Sequence, residues 1–209
     1  MKVNFKFKLS PLPYKYGDLE PYVGQKTMKL HHTRHLGTYI NELNEALSRH
    51  PEFNGASLTE IYRTDSDGAL EMRELCAAVY NHNLFFSLLA PSTNGAIRVP
   101  VGELRRALIK EFGSIERTLI MLRDAALDSR EPGWVFLCKS KNDRAEILFC
   151  RGHSIPDPRN YIPIIAIDTW EHSYYLDYLS AKKNYIENNF RLINWELSEM
   201  FWRARIAYK

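Results

Sequence analysis

The sequence predicts an α+β fold: an antiparallel α-helical hairpin in residues 1–90, followed in residues 91–209 by a three-stranded antiparallel sheet with helices. Three observations predict it. Helical periodicity runs through residues 24–48 and again through 68–89, and two helices of that length joined by a short connection pack side by side. The breaker-rich stretch Ala90-Pro91-Ser92-Thr93-Asn94-Gly95 then separates two apolar regions and marks the domain boundary. Beyond it lie three short runs rich in β-branched and aromatic residues: 133–138, 145–150 and 162–167.

The elements follow in order. An extended opening is closed by Leu12-Pro13-Tyr14 and Leu19-Glu20-Pro21, whose prolines fix a tight lead-in to the first long helix. Within that helix Thr27, His31, His35, Thr38 and Tyr39 recur at spacings of three and four, so His31, His35 and Tyr39 share a stripe. Either the stripe is a core face whose polar tips are satisfied locally, or it lines a metal pocket. His50, beside Pro51, reads as a solvated surface residue. Ser57 and Glu60 have the spacing of a capping box. The second long helix presents Leu75, Val79, His82 and Phe86 on one side, which turns His82 toward the His31 stripe, with Tyr80, Phe85 and Phe86 as walls.

Residues 101–112 and 114–126 read as helices without a candidate ligand. Lys141-Asn142-Asp143 makes the turn between the first two strands. The third strand ends on a carboxylate, Asp168, and helix follows over 174–181 and from 185 to about 207. If Asp168 stands in the first turn of a helix, the spacing of four brings it and His172 to one face, within reach of one cation. An aspartate there is also an ordinary cap, and His172 an ordinary core histidine.

The other histidines shift the balance toward a metal. Five of the seven, His31, His35, His82, His153 and His172, stand in apolar or aromatic surroundings. Imidazole and carboxylate together suit divalent and trivalent transition ions.

Composition sets the outer bounds. With 209 residues, 45% hydrophobic and 12% aromatic, the chain has ample material for a packed core. Its 28 basic and 25 acidic side chains leave a formal charge of +3, too little for a typical nucleic-acid binder. Cys76, Cys138 and Cys150 are odd in number and show no CxxC spacing, which favours a reducing, cytoplasmic compartment. Residues 1–8 interleave charge with apolar side chains, so neither a secretory signal nor a membrane span is expected.

Leu12-Pro13-Tyr14, His31 with His35 and Tyr39, Asn81-His82, the block Asp168-Thr169-Trp170-Glu171-His172-Ser173-Tyr174-Tyr175, and Asn194-Trp195-Glu196 together closely resemble the iron/manganese superoxide dismutases, in that family's order and spacing. The resemblance implies conversion of superoxide to dioxygen and hydrogen peroxide by one-electron cycling of a single Fe or Mn ion. It implies His31, His82, Asp168 and His172 as the metal ligands, with a solvent molecule in a fifth position. His35 and Tyr39 match a gateway pair, so the resemblance overrules the spacing, which would have made His35 a ligand. It also implies a homodimer or tetramer in which Glu171 bonds the partner's His172 and Tyr175 bonds the partner's His35. His153, fifteen residues before Asp168, matches a position whose side chain bonds the solvent ligand in some members, because Ala78 on the second helix is too small to do so. Departures from the family pattern stand at the aromatic wall and at turns. Phe86 and Phe136 replace tryptophans, Asn83 replaces a Ser or Thr, and Glu131-Pro132 replaces a Gly-Ser pair.

Overall fold

The computed structural model describes residues 6–92, 98–128 and 130–204. The first long helix forms in the expected place but is not uniform. It runs as α1 (Gln25–Leu30), a π-helical stretch at His31–Leu36, and α2 (Gly37–Arg49). No spacing signal marks the widened stretch, and π turns of this kind concentrate where helices carry functional side chains. The short helix α3 (Leu58–Arg63) starts at the Ser57 and Glu60 capping box. The second long helix, α4 (Asp67–Ser87), is capped by Ser66 and buries most of its C-terminal half, including Asn81 and His82. His50 stands partly exposed at the surface, and its two ring nitrogens lie 3.2 Å from carboxylate oxygens of Glu52 and Glu71.

After the segment around residue 93, part of which lies outside the described residues, come α5 (Gly102–Phe112) and α6 (Ile115–Asp128). The sheet is β1 (Gly133–Ser140), β2 (Ala145–Arg151) and β3 (Tyr161–Asp168), antiparallel, in the order β2-β1-β3. The β1 to β3 register slips between Leu137 and Cys138, where the partner of Cys138 is Pro163, a residue with no N–H to give the ladder. Alternation along β1 feeds two hydrophobic cores. Trp134, Phe136 and Cys138 point toward the helices of the N-terminal half, while Val135 and Leu137 point toward α5, α6 and the C-terminal helices. The sheet is therefore a middle layer, and its Trp134 face looks at the histidines of the hairpin.

The expected helix over 174–181 contracts to a single turn, α7 (Tyr175–Tyr178). The last expected helix divides into α8 (Lys182–Asn189), a short 3-10 turn, and α9 (Trp195–Arg203), which is capped by Asn194. Its predicted extension over 205–207 lies outside the described residues. Among the described residues no helix is long and apolar enough to cross a membrane.

Candidate metal centre

Three parts of the chain deliver one cluster. The π stretch brings His31, α4 brings His82, and the end of β3 with the turn behind it brings Asp168 and His172. One ligand-type atom from each lies within 4.8 Å of the others. Asp168 and His172 do not share a helix face as the spacing suggested. Asp168 closes β3 opposite Trp134, and Thr169 ties the end of the strand to Gly133 through bonds of 2.8 and 3.2 Å. Asp168 Oδ1 then accepts the Trp170 N–H at 2.9 Å, an Asx-type turn that folds the chain back on itself. The 3-10 turn Glu171–Ser173 completes the reversal and sets His172 Nε2 3.2 Å from Asp168 Oδ2.

The cluster lacks the hydrogen bonds that burial demands. His31 Nε2 and Asp168 Oδ2 face each other at 3.2 Å, yet among the described residues neither atom has a hydrogen-bond partner. A buried polar atom without a partner costs about 1–3 kcal/mol, so two aimed at one point mark a place for a cation. His82 Nδ1 lies 2.7 Å from the Ala78 carbonyl, which has only lone pairs. Its hydrogen therefore sits on Nδ1, and its Nε2 lone pair faces the cluster, 3.4 Å from His172 Nε2.

Electrostatics suits the same purpose. Burial pushes His31 down to about 4 and His82 well below the ordinary imidazole range, so both are neutral donors at neutral pH. Burial works against the charge of Asp168, but His172 and His31 beside it outweigh burial and hold its carboxyl well below the usual range. Neutral imidazoles and one carboxylate form the donor set of a transition ion with low residual charge.

Aromatic rings enclose the cluster. Phe86 and Phe85 lie 4.9 and 5.6 Å from the His31 ring, Trp134 lies 5.1 Å from His82, and Trp170 lies 5.8 Å from His172. Tyr80 is buried in the same core. Phe136 stands behind Trp134 at 6.5 Å. Around this wall sit the remaining candidates. His35 stacks on His172 at 4.3 Å but is not one of the four converging side chains. Tyr39 lies 5.5 Å from His82, and its hydroxyl meets His153 Nε2 at 3.0 Å. Burial pushes the Tyr39 phenol up and the His153 imidazole down to about 4. Glu171 and Tyr175 are exposed at the surface next to His172.

Two features escaped the sequence reading. His32 is buried, with Nδ1 at 3.0 Å from the Tyr16 hydroxyl and Nε2 at 2.9 Å from the Ser10 carbonyl, pinning the N-terminal segment beside the site. The signal was present: His32, Leu36, Ile40 and Leu43 form a buried stripe one residue out of phase with the His31 stripe. The other is how His153 is held. Asn81 Nδ2 donates to its carbonyl at 2.9 Å, Trp134 Nε1 donates to its Nδ1 at 3.3 Å, and Trp170 stacks on its ring at 4.7 Å. Nothing in residue spacing identifies such long-range donors.

Comparison with known proteins follows the same division of the chain. Residues 6–90 match the family model described as iron/manganese superoxide dismutases, alpha-hairpin domain, and residues 100–200 match that of the C-terminal domain. The chain is 33% identical over 203 residues to a manganese superoxide dismutase of Thermus thermophilus, covering 95% of this chain and 98% of the relative. It is 35% identical over 190 residues to an iron superoxide dismutase of Salmonella typhimurium (91% and 95% covered), and 33% identical over the same length to that of Escherichia coli K12.

Proposed function

This chain belongs to the iron/manganese superoxide dismutase family, and from that premise we propose that His31, His82, Asp168 and His172 hold its metal ion. Its reaction is the conversion of superoxide to dioxygen and hydrogen peroxide, carried out with one iron or manganese ion. When bound, the ion would supply one-electron exchange between two superoxide anions, of which one leaves as dioxygen and the other, with two protons, as hydrogen peroxide. The observation that carries the ligand assignment is the pair of buried, partnerless atoms, His31 Nε2 and Asp168 Oδ2, aimed at one another from different domains.

The surrounding residues keep the site dry, gate it and supply protons. Phe85, Phe86, Trp134 and Trp170 exclude bulk water, which strengthens every charge interaction inside. His35 and Tyr39 form the gate through which a small anion passes, and the Tyr39 hydroxyl is a proton source beside the rings. His153 holds that hydroxyl from behind. In the assembled enzyme of this reading, Glu171 bonds the partner subunit's His172 and Tyr175 the partner subunit's His35, making a homodimer or a tetramer. The exposure of Glu171, Tyr175, Leu176 and Leu179 on one segment beside the site supports this. The division at residue 90 into a hairpin domain and a C-terminal domain is part of the same reading. So is a cytoplasmic location, which the three free cysteines support.

The test is superoxide consumption by protein reconstituted with iron, with manganese and with neither, alongside elemental analysis. Activity is expected to track metal content. Equal activity in metal-free protein would overturn the assignment.

A further inference from the structure

We propose that Asp177 is a positioning residue that straps the helix carrying His31 to the turn carrying His172, and so sets the distance between two of the metal's donors. The inference rests on the ligand assignment and adds what holds these two donors in register.

A helix start leaves its first N–H groups without partners inside the helix. A capping box meets them locally, as Ser57 and Glu60 do for α3. At the start of α1 neither half of such a box is present: the N-cap is Gly24 and the third helical residue is Thr27. A carboxylate from far along the chain takes the place of the second half. Asp177 Oδ2, on α7, accepts the Gly24 N–H at 2.8 Å across a separation of 153 residues. Glu20 Oε1 accepts the next N–H, that of Gln25, at 3.0 Å. The fit is steric as well as polar. A Cβ at position 24 would stand 2.7 Å from Asp177 Oδ1, so any side chain there would push the carboxylate off the backbone. Tyr178 doubles the strap, since its hydroxyl donates to the Tyr22 carbonyl at 2.6 Å and receives Asn188 Nδ2 at 3.0 Å.

What the strap joins is the two sides of the cluster. Asp177 stands five residues after His172, and Gly24 seven residues before His31. Between these points α1 packs on the Glu171–Ser173 turn. The His31 and His172 rings lie 4.8 Å apart, each with its Nε2 at 3.2 Å from Asp168 Oδ2. His31 also opens the π stretch, whose wider turn interrupts the α-helical hydrogen bonding between α1 and α2. The packing of α2 therefore does not dictate where α1 lies, and an anchor at the far end of α1 decides where His31 is held. Asp177 is itself exposed, so it acts through its bond to Gly24 and not by filling the core.

The test is Mn(II) uptake by the full-length metal-free protein, read as affinity against a competing chelator and as the EPR spectrum of the loaded protein, which reports ligand geometry. Asp177→Ala is expected to weaken uptake about tenfold, the lower end of the cost of losing a residue that orients a ligand, and to alter the spectrum. Asp177→Asn keeps an oxygen for the Gly24 N–H and is expected to match wild type in both. The decisive variant combines Gly24→Asn with Asp177→Ala. Asparagine caps the helix from within, at an N-cap whose backbone is already extended, so thermal stability is expected to recover while affinity and spectrum stay altered. Wild-type affinity and spectrum in Asp177→Ala would overturn the proposal. Full recovery of both in the double variant would overturn it too, by reducing Asp177 to an ordinary cap. If Asp177→Ala does not fold, the double variant still decides. Failure of the ligand assignment is separately visible, as unaltered affinity and spectrum in His31→Ala.

Discussion

Asp168 Oδ2 and His172 Nε2 meet at 3.2 Å although the three residues between them do not form an α-helical turn. The strand end, the Asx-type turn onto Trp170 and the 3-10 turn do the work instead. This makes Asp168 a hinge between sheet and site: one oxygen shapes the backbone and the other faces the imidazoles.

Because the four donors come from three separate parts of the chain, removal of one leaves an incomplete set that the fold cannot replace. His82→Ala should abolish metal retention. Loss of a residue that merely orients a ligand costs 10- to 100-fold in affinity, so losing a ligand should cost more than about 100-fold. Elemental analysis of purified protein checks this, and stoichiometric metal in the variant would remove His82 from the ligand set.

Tyr39 touches the His82 ring and the His153 nitrogen but is not among the four converging side chains. Tyr39→Phe should therefore keep its metal while slowing turnover by up to about 100-fold, the lower end of what a positioned proton donor contributes. Metal content and rate must be measured on the same preparation. Metal-free Tyr39→Phe protein would contradict the gate assignment.

Much of this centre was legible before any coordinates. The helical stripe of His31, His35 and Tyr39, the placement of His82 on a facing helix and the β3 run ending at Asp168 all follow from periodicity, since each depends on neighbours close in sequence. Periodicity did not separate His31 from His35. His31 and His35 satisfy the same spacing, and only the position of β3 and the turn after it decides which of them meets Asp168. The π stretch was invisible because it changes helix pitch without changing the residue pattern. The donors to His153 come from residues 81 and 134, a separation over which sequence carries no distance information.

Tyr175, Leu176 and Leu179 are 48%, 54% and 64% exposed, an apolar surface immediately after His172. If the proposed assembly forms through this segment, Leu176→Asp should convert it to a smaller species by placing an unpaired charge in the contact. Analytical ultracentrifugation of both proteins checks it. An unchanged mass would move the interface away from this segment.

The C-terminal domain has its own pH-sensitive tie. The Glu199 carboxylate on α9 accepts the backbone N–H groups of Glu103 and Leu104, at 3.0 and 2.8 Å, and also receives Arg203 Nε, at 2.6 Å. It thus caps the start of α5 from a different helix. Burial alone would raise its pKa, but those donors outweigh burial and hold it below the ordinary carboxylate value. A carboxylate depressed by folding contributes stability that is present above its unfolded pKa of about 4.3 and is lost as pH falls through the lower folded value. Hydrogen bonds to a charged group contribute about 1.5–3 kcal/mol, so Glu199→Gln should destabilise by about 2 kcal/mol at pH 7. The gap should narrow as the pH is taken to about 3, because the wild-type carboxyl becomes neutral as well. Urea denaturation of both proteins in metal-free form keeps loss of the ion out of the comparison. A gap that stays constant or widens in acid would mean that the charge of Glu199 is not what joins α5 to α9.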